Sequence, residues 1–243
     1  RGGTTLLAEL LRQHPKLDSG FEVGLLLREK PLDFIGMEPY YSMLKAGWQL
    51  NDTEVKYICQ ADNWLEVYTR LLYKARIIKN KNVFLFDKTP KYMQVLPEVL
   101  KKVPGIPCIV IVRDPRSVLC SWAKRSGVST ELWIQKNLEQ ACNRYNSYAQ
   151  GWKSAIDNGY QYQILLIQYE ELCQNSIQEA EKIFNFIGLD FDNSYVNFTP
   201  KWSNVYEGKV SNKYMTEYKK HFSNEICETI LKRTKESREW FWK

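Results

Sequence analysis

The chain has 243 residues, 44% of them hydrophobic, 26% charged and 14% aromatic, with 12 Gly and 9 Pro. Those fractions exclude a disordered chain, a collagen-like repeat and a long coiled coil, and the length suits one α/β domain over residues 1–243. Lys and Arg outnumber Asp and Glu 34 to 28, a net charge of +6, and ten basic against six acidic residues put +4 of it between Lys201 and Lys243. Such a tail is either a solvated helix face or a seat for an anionic ligand, and charge alone does not separate the two. No apolar run approaches the ~20 residues of a membrane span.

Arg1-Gly2-Gly3-Thr4-Thr5 runs directly into a helix predicted over 4–13. Leu6, Leu7, Leu10 and Leu11 share one stripe of it, and His14-Pro15 ends it. Three short, nearly continuous apolar runs, 83–86, 108–112 and 164–167, read as strands buried on both faces. After the second comes Arg113-Asp114-Pro115, with Asp114 a good helix N-cap and Pro115 a good first helical residue. Ser176 and Glu179 form a capping box before a stripe of Ile177, Ala180, Ile183, Phe184 and Ile187 that Gly188 closes, and a last helix is expected over about 225–242. Strands alternating with helices imply a parallel sheet, which takes ligands at the carboxyl ends of its strands. The six cysteines are scattered without a C-x-x-C pair, so they read as reduced structural thiols and no metal site is expected.

The opening loop has the makings of a phosphate or sulfate cradle. Glycines admit close backbone approach, the first helical amides point outward, and two threonines add hydroxyls. A plain glycine turn with a Thr N-cap explains the same residues. Arg113 stands at a strand end beside a helix N-terminus, placed either to grip a dianion or to pair with Asp114. A Walker A loop would need lysine where Thr4 stands, whereas Val83 to Asp87 resembles a Walker B strand. A P-loop kinase or triphosphatase using Asp87 and Mg²⁺ is therefore one alternative. A non-catalytic polyanion-binding module using the basic tail is another.

Taken together, the motifs resemble the sulfotransferases that use 3′-phosphoadenosine 5′-phosphosulfate (PAPS). Arg1-Gly2-Gly3-Thr4-Thr5-Leu6-Leu7 followed by His14-Pro15 is similar to their R-S-G-T-T-L-L…H-P signature. Arg113 and Ser121 stand at the R-(x)7-S spacing of their 3′-phosphate site, and Tyr169-Glu170-Glu171-Leu172 matches their Y-E-[DE]-L stretch. Asp87-Lys88-Thr89-Pro90 resembles the D-K-[TS]-P segment of the Golgi-type and bacterial branches. The resemblance implies a P-loop-like, three-layer sandwich with a central parallel sheet, its first strand expected upstream of Arg1. It also implies a single sulfotransferase domain that moves the sulfuryl group to a hydroxyl acceptor and releases adenosine 3′,5′-bisphosphate (PAP).

Carried over by motif, Arg1, Gly2, Gly3, Thr4 and Thr5 would hold the 5′-phosphosulfate, and Arg113 with Ser121 the 3′-phosphate. Tyr169 matches a tyrosine near the adenine, and Lys209 with Ser211 falls in the loop that closes over the 3′-phosphate. Gly2 replaces the usual Ser, Leu6 the adenine-stacking Trp of the cytosolic branch, and Pro90 that branch's catalytic His. The base must then be another group. Glu22, in Gly20-Phe21-Glu22-Val23, resembles the catalytic Glu of the tyrosylprotein sulfotransferases, with a plain exposed glutamate as the alternative. Arg1 and Lys88 would stabilise charge on the leaving phosphate while Glu22 takes the acceptor proton. The expected partner is a hydroxyl-bearing glycan, peptide tyrosine or small molecule rather than a nucleic acid, with a homodimer possible. Trp202, Tyr206, Tyr214 and Tyr218 are candidates for an acceptor wall or for packing. The compartment is open: the cytoplasm in a bacterial source, or the Golgi lumen behind an upstream anchor.

Overall fold

Each strand of the parallel ladders leads into a helix or a helical turn, so the chain can be followed as a series of strand-to-helix units. The computed structural model describes residues 2–198, 208–210 and 212–242, with backbone only at 208, 209 and 213. Helix α1 (Thr4–Gln13) leads to strand β1 (Leu17–Asp18), and a long loop with two 3₁₀ turns follows. Three helices come next, α2 (Tyr40–Trp48), α3 (Asp52–Cys59) and α4 (Trp64–Lys74). Strand β2 (Phe84–Leu85), a 3₁₀ turn over Pro90–Val95 and α5 (Leu96–Lys102) precede β3 (Cys108–Val112). Helices α6 (Pro115–Ala123) and α7 (Thr130–Asp157) lead to β4 (Ile164–Gln168), α8 (Tyr169–Gln174) and α9 (Ser176–Phe186). The remaining described strands and α-helices are β5 (Asn197–Phe198), β6 (Gly208–Lys209), α10 (Asn224–Arg233) and α11 (Lys235–Phe241).

The β1–β2 and β3–β4 ladders are parallel and β5–β6 is antiparallel. In β3 the side chains alternate between two cores. Ile109 and Ile111 pack with α1 and α9 through Leu7, Leu10, Ile183 and Phe184. Val110 and Val112 pack with α5, α7 and α11 through Leu96, Leu100, Ala149 and Phe241. A sheet covered on both faces has no polar side, which is why β3 and β4 read as unbroken apolar runs. Helices, parallel strands and helices thus form the three layers expected.

Three local expectations change. The strand expected over 83–86 contracts to Phe84–Leu85, because its partner β1 is only two residues long. Ser176 is the first helical residue rather than the cap; α8 runs up to Asn175, which takes that place without a side-chain cap, and Ile177 is 43% exposed. The final helix breaks at Thr234, where the buried hydroxyl bonds back to the Ile230 carbonyl at 2.7 Å. Two helices missed from the sequence do carry start signals. Asn51 caps α3 in a capping box with Glu54, and Asn63 caps α4. The six cysteines are all free, in keeping with reduced thiols.

Helix α7 lies against the 3₁₀ turn after β2 at Gly151. A Cβ there would stand 1.9 Å from the Met93 carbonyl oxygen. Alanine adds about 1 kcal/mol of helix propensity, but the collision is with backbone and the helix must move away. Gly151→Ala is therefore expected to destabilise the protein by about 1–3 kcal/mol net of that gain, read as a lowered melting temperature.

Candidate active site

Two clusters stand at the carboxyl ends of the parallel strands. The first joins the opening loop to the residues after β3 and β4. Gly3 caps α1 with φ 104°, and a Cβ on it would meet the Tyr169 ring at 2.4 Å. Only glycine accepts both the positive φ and the contact. Gly2 faces the Ile111 carbonyl oxygen, and Thr4 and Thr5 stand half-buried in the first turn of α1. Tyr169, the first residue of α8, is 1% exposed, and the Arg113 guanidinium lies 4.2 Å over its ring. Gly3, the Tyr169 ring and Arg113 are thereby layered.

Arg113 is 9% exposed. Its carbonyl accepts from the Tyr145 hydroxyl at 3.1 Å, its Nη2 donates to the Tyr214 carbonyl, and its Nε is buried without a hydrogen-bond partner among the described residues. The pairing with Asp114 does not form. Asp114 caps α6, accepting from the Arg116 backbone at 2.8 Å, and it pairs with the Arg116 side chain. No carboxylate lies within ion-pair distance of Arg113 among the described residues. A buried guanidinium with no counter-ion is unfavourable unless an anion completes the site. Nearby, Ser117 donates to the Met215 carbonyl at 2.8 Å, and Ser121 sits half-buried one helical turn further along α6. Glu170 accepts from the Asp114 amide at 3.0 Å, tying the β3 and β4 ends together, and burial pushes its carboxyl above the ordinary range.

The second cluster is built on the loop before α2 and the segment after β2. Lys88 Nζ donates to Glu22 Oε1 at 3.0 Å and lies 5.1 Å over the Phe21 ring. The carbonyls of Ser19 and Gly20 accept from Arg12 Nη2, and the Phe21 carbonyl accepts from Trp48 Nε1 at 2.8 Å. The Arg12 guanidinium is itself bonded to the buried Glu9 at 2.9 Å. Gly24 presses on the Tyr40 ring. Burial, and then the charges of Glu22 and its neighbours, push the Tyr40 phenol upward, while Arg144 opposes them. Tyr40 thus stands within electrostatic reach of Glu22.

The positions expected for the site sort as follows. Gly2, Gly3, Thr4, Thr5, Arg113 and Tyr169 stand where strand ends meet helix starts, Ser121 lies further along α6, and Glu22 and Lys88 touch. Arg1, Ser211, Trp202 and Tyr206 lie outside the described residues, as does the side chain of Lys209. The Tyr169 ring is enclosed between Gly3 and Arg113, so it backs the cradle from inside the fold. Asp87 is a correction. Its carboxylate accepts from the Tyr68, Tyr92 and Thr89 hydroxyls at 2.5, 2.6 and 2.8 Å, so it serves the structure rather than the Mg²⁺ role of the kinase alternative. Leu6 and His14 are buried in the core, with His14 Nδ1 accepting from the Lys16 amide. Sequence reasoning missed Arg12, Trp48 and Tyr92, which carry no motif; only Arg12, a charged residue on an otherwise apolar helix stripe, offered a signal.

The sulfotransferase family matches residues 1–193. The chain belongs to the sulfotransferase family. It is 24% identical over 194 residues to a putative protein-tyrosine sulfotransferase of Caenorhabditis briggsae, covering 79% of this chain and 63% of the relative. It is 28% identical over 130 residues to the nodulation protein NoeE of Sinorhizobium fredii, covering 53% of this chain and 30% of that protein. The chain thus spans less than two thirds of the length of these curated relatives. Among solved structures, the sulfotransferase domain of the Synechococcus PCC 7002 olefin synthase superposes with a TM-score of 0.68 at 20% identity, covering 94% of this chain and 90% of that one. That likeness is one of fold.

Proposed function

We propose that this sulfotransferase-family chain moves the sulfuryl group of PAPS to a hydroxyl acceptor, with Glu22 as general base. The observation that carries the reading is Arg113: a buried guanidinium with no carboxylate partner among the described residues, layered on the ring that also backs Gly3. The residues fit such a donor on two counts. Among the described residues Arg113 Nε is a buried donor without a partner, and Gly3, with φ 104° and the Tyr169 ring packed against it, leaves the loop backbone at the start of α1 without a side chain.

When bound, PAPS supplies an –SO₃ group on a phosphate leaving group. Gly2, Gly3 and the amides of the first turn of α1 would hold the 5′ end, with Thr4 and Thr5 adding hydroxyls. Arg113, with Ser121, would hold the 3′-phosphate. Lys88 would lie against the charge that develops on the leaving oxygen. Glu22 Oε1, now paired with Lys88, would accept the proton of the acceptor hydroxyl as its oxygen bonds to sulfur. Phe21 and Tyr40 give that side of the site an aromatic wall, which suits a phenolic or ring-bearing alcohol, and the tyrosine named for the C. briggsae relative is of that class.

Isothermal titration of the wild type with PAP tests the donor half. Saturable binding that weakens with added salt is expected. No measurable binding, or binding only of ATP in the presence of Mg²⁺, would overturn the reading.

A further inference from the structure

Glu22 lies in a loop, yet the backbone around it is held as firmly as a strand. Upstream, Arg12 and Trp48 take the carbonyls of Ser19, Gly20 and Phe21. Downstream, the amides are taken by one buried side chain. Thr89 Oγ1 accepts from the Val23 amide at 3.1 Å and from the Gly24 amide at 3.0 Å, and its hydroxyl proton goes to Asp87 Oδ1 at 2.8 Å. A hydroxyl has one proton and two lone pairs, so Thr89 is saturated. Asp87 Oδ2 accepts from Tyr92, and the Tyr92 oxygen in turn accepts from the Leu26 amide at 3.1 Å. The amides of residues 23, 24 and 26 thus hang on one frame centred on Asp87.

The register matters. Glu22 meets Lys88, and Val23 meets Thr89; both pairs are 66 residues apart in the chain. The side-chain ion pair and the backbone anchor are therefore adjacent rungs between the same two segments, so the hydroxyl that fixes Val23 fixes where Glu22 stands relative to Lys88. Serine can supply the same oxygen, whereas valine keeps the shape but leaves two buried amides without acceptors.

We infer that Thr89 is the positioning residue for Glu22, acting through the Asp87–Tyr92 frame rather than on any substrate. This rests on Glu22 being the base. Thr89→Val is expected to lower kcat by about 10²-fold, the scale of a 1 Å misplacement of a catalytic group, with PAP affinity unchanged. Thr89→Ser should recover most of the loss. Adding Thr89→Val to Glu22→Gln should lower the residual rate little further. Hydrogen exchange at the Val23 and Gly24 amides should quicken in Thr89→Val and return to normal in Thr89→Ser. An unchanged kcat in Thr89→Val, an additive double variant or unchanged exchange would overturn the inference. Turnover retained by Glu22→Gln alone would instead remove the base assignment, leaving the hold on the loop to be judged by exchange. Should Thr89→Val fail to fold, Tyr92→Phe, which takes the acceptor from the Leu26 amide and one donor from Asp87 Oδ2, is read by the same measurements at Leu26.

Discussion

Glu22→Gln is expected to lower turnover by about 10²–10⁴-fold, the usual contribution of a positioned general base, while PAP binds as tightly as before. The substitution isolates the proton transfer because so little else changes. The carboxamide has the size of the carboxylate, and its oxygen can still accept from Lys88 Nζ where Glu22 Oε1 does now, at 3.0 Å. The loop is held by backbone bonds to Arg12, Trp48 and Thr89 that do not involve the Glu22 side chain. What disappears is a site for the acceptor's proton, so the loss should fall on kcat rather than on the KM for the donor. A rate assay with labelled donor and a saturating acceptor reads it directly. Wild-type turnover would move the base elsewhere.

Arg113→Met should weaken PAP binding by about 2–5 kcal/mol, the cost of removing one member of a buried charge pair, and titration calorimetry measures it. The free protein should tolerate the change. Methionine gives up the contact with the Tyr169 ring and the bond to the Tyr214 carbonyl, but it also removes a buried cation with no counter-ion among the described residues. These effects oppose one another, so the melting temperature should shift by only a few degrees, about 2–4 °C per kcal/mol at this size. A large loss of stability with binding intact would make Arg113 a structural residue. Ordinary core truncations behave in the opposite way, which is what makes the pair of measurements discriminating.

Much of the cradle was legible because it is local. Gly3, Asp114 and Pro115 act on their own backbone and on the first turn of the helix each begins, so their roles follow from residue type and position. The strands at 108–112 and 164–168 were legible for the same reason, as both faces are buried and no alternation survives. The capping box at Ser176 failed because its geometry depended on where α8 stopped, two residues earlier at Gln174. The surroundings of Tyr169 were not legible because a motif gives a residue's neighbours in the chain. Its neighbours in space are Gly3 and Arg113, on two other segments.

By itself the sequence determined the starts of α1 and α6, the parallel α/β class and the family motifs at the strand ends, since each depends on residues within a turn or two. Only the tertiary structure decided that Arg113 turns to the Tyr214 carbonyl, that Tyr68 reaches Asp87, and that Thr89 anchors the loop of Glu22. Those outcomes join residues 19 to 101 positions apart in the chain. They are set by which buried donors and acceptors the packed layers bring within 3 Å, and no local pattern encodes that distance.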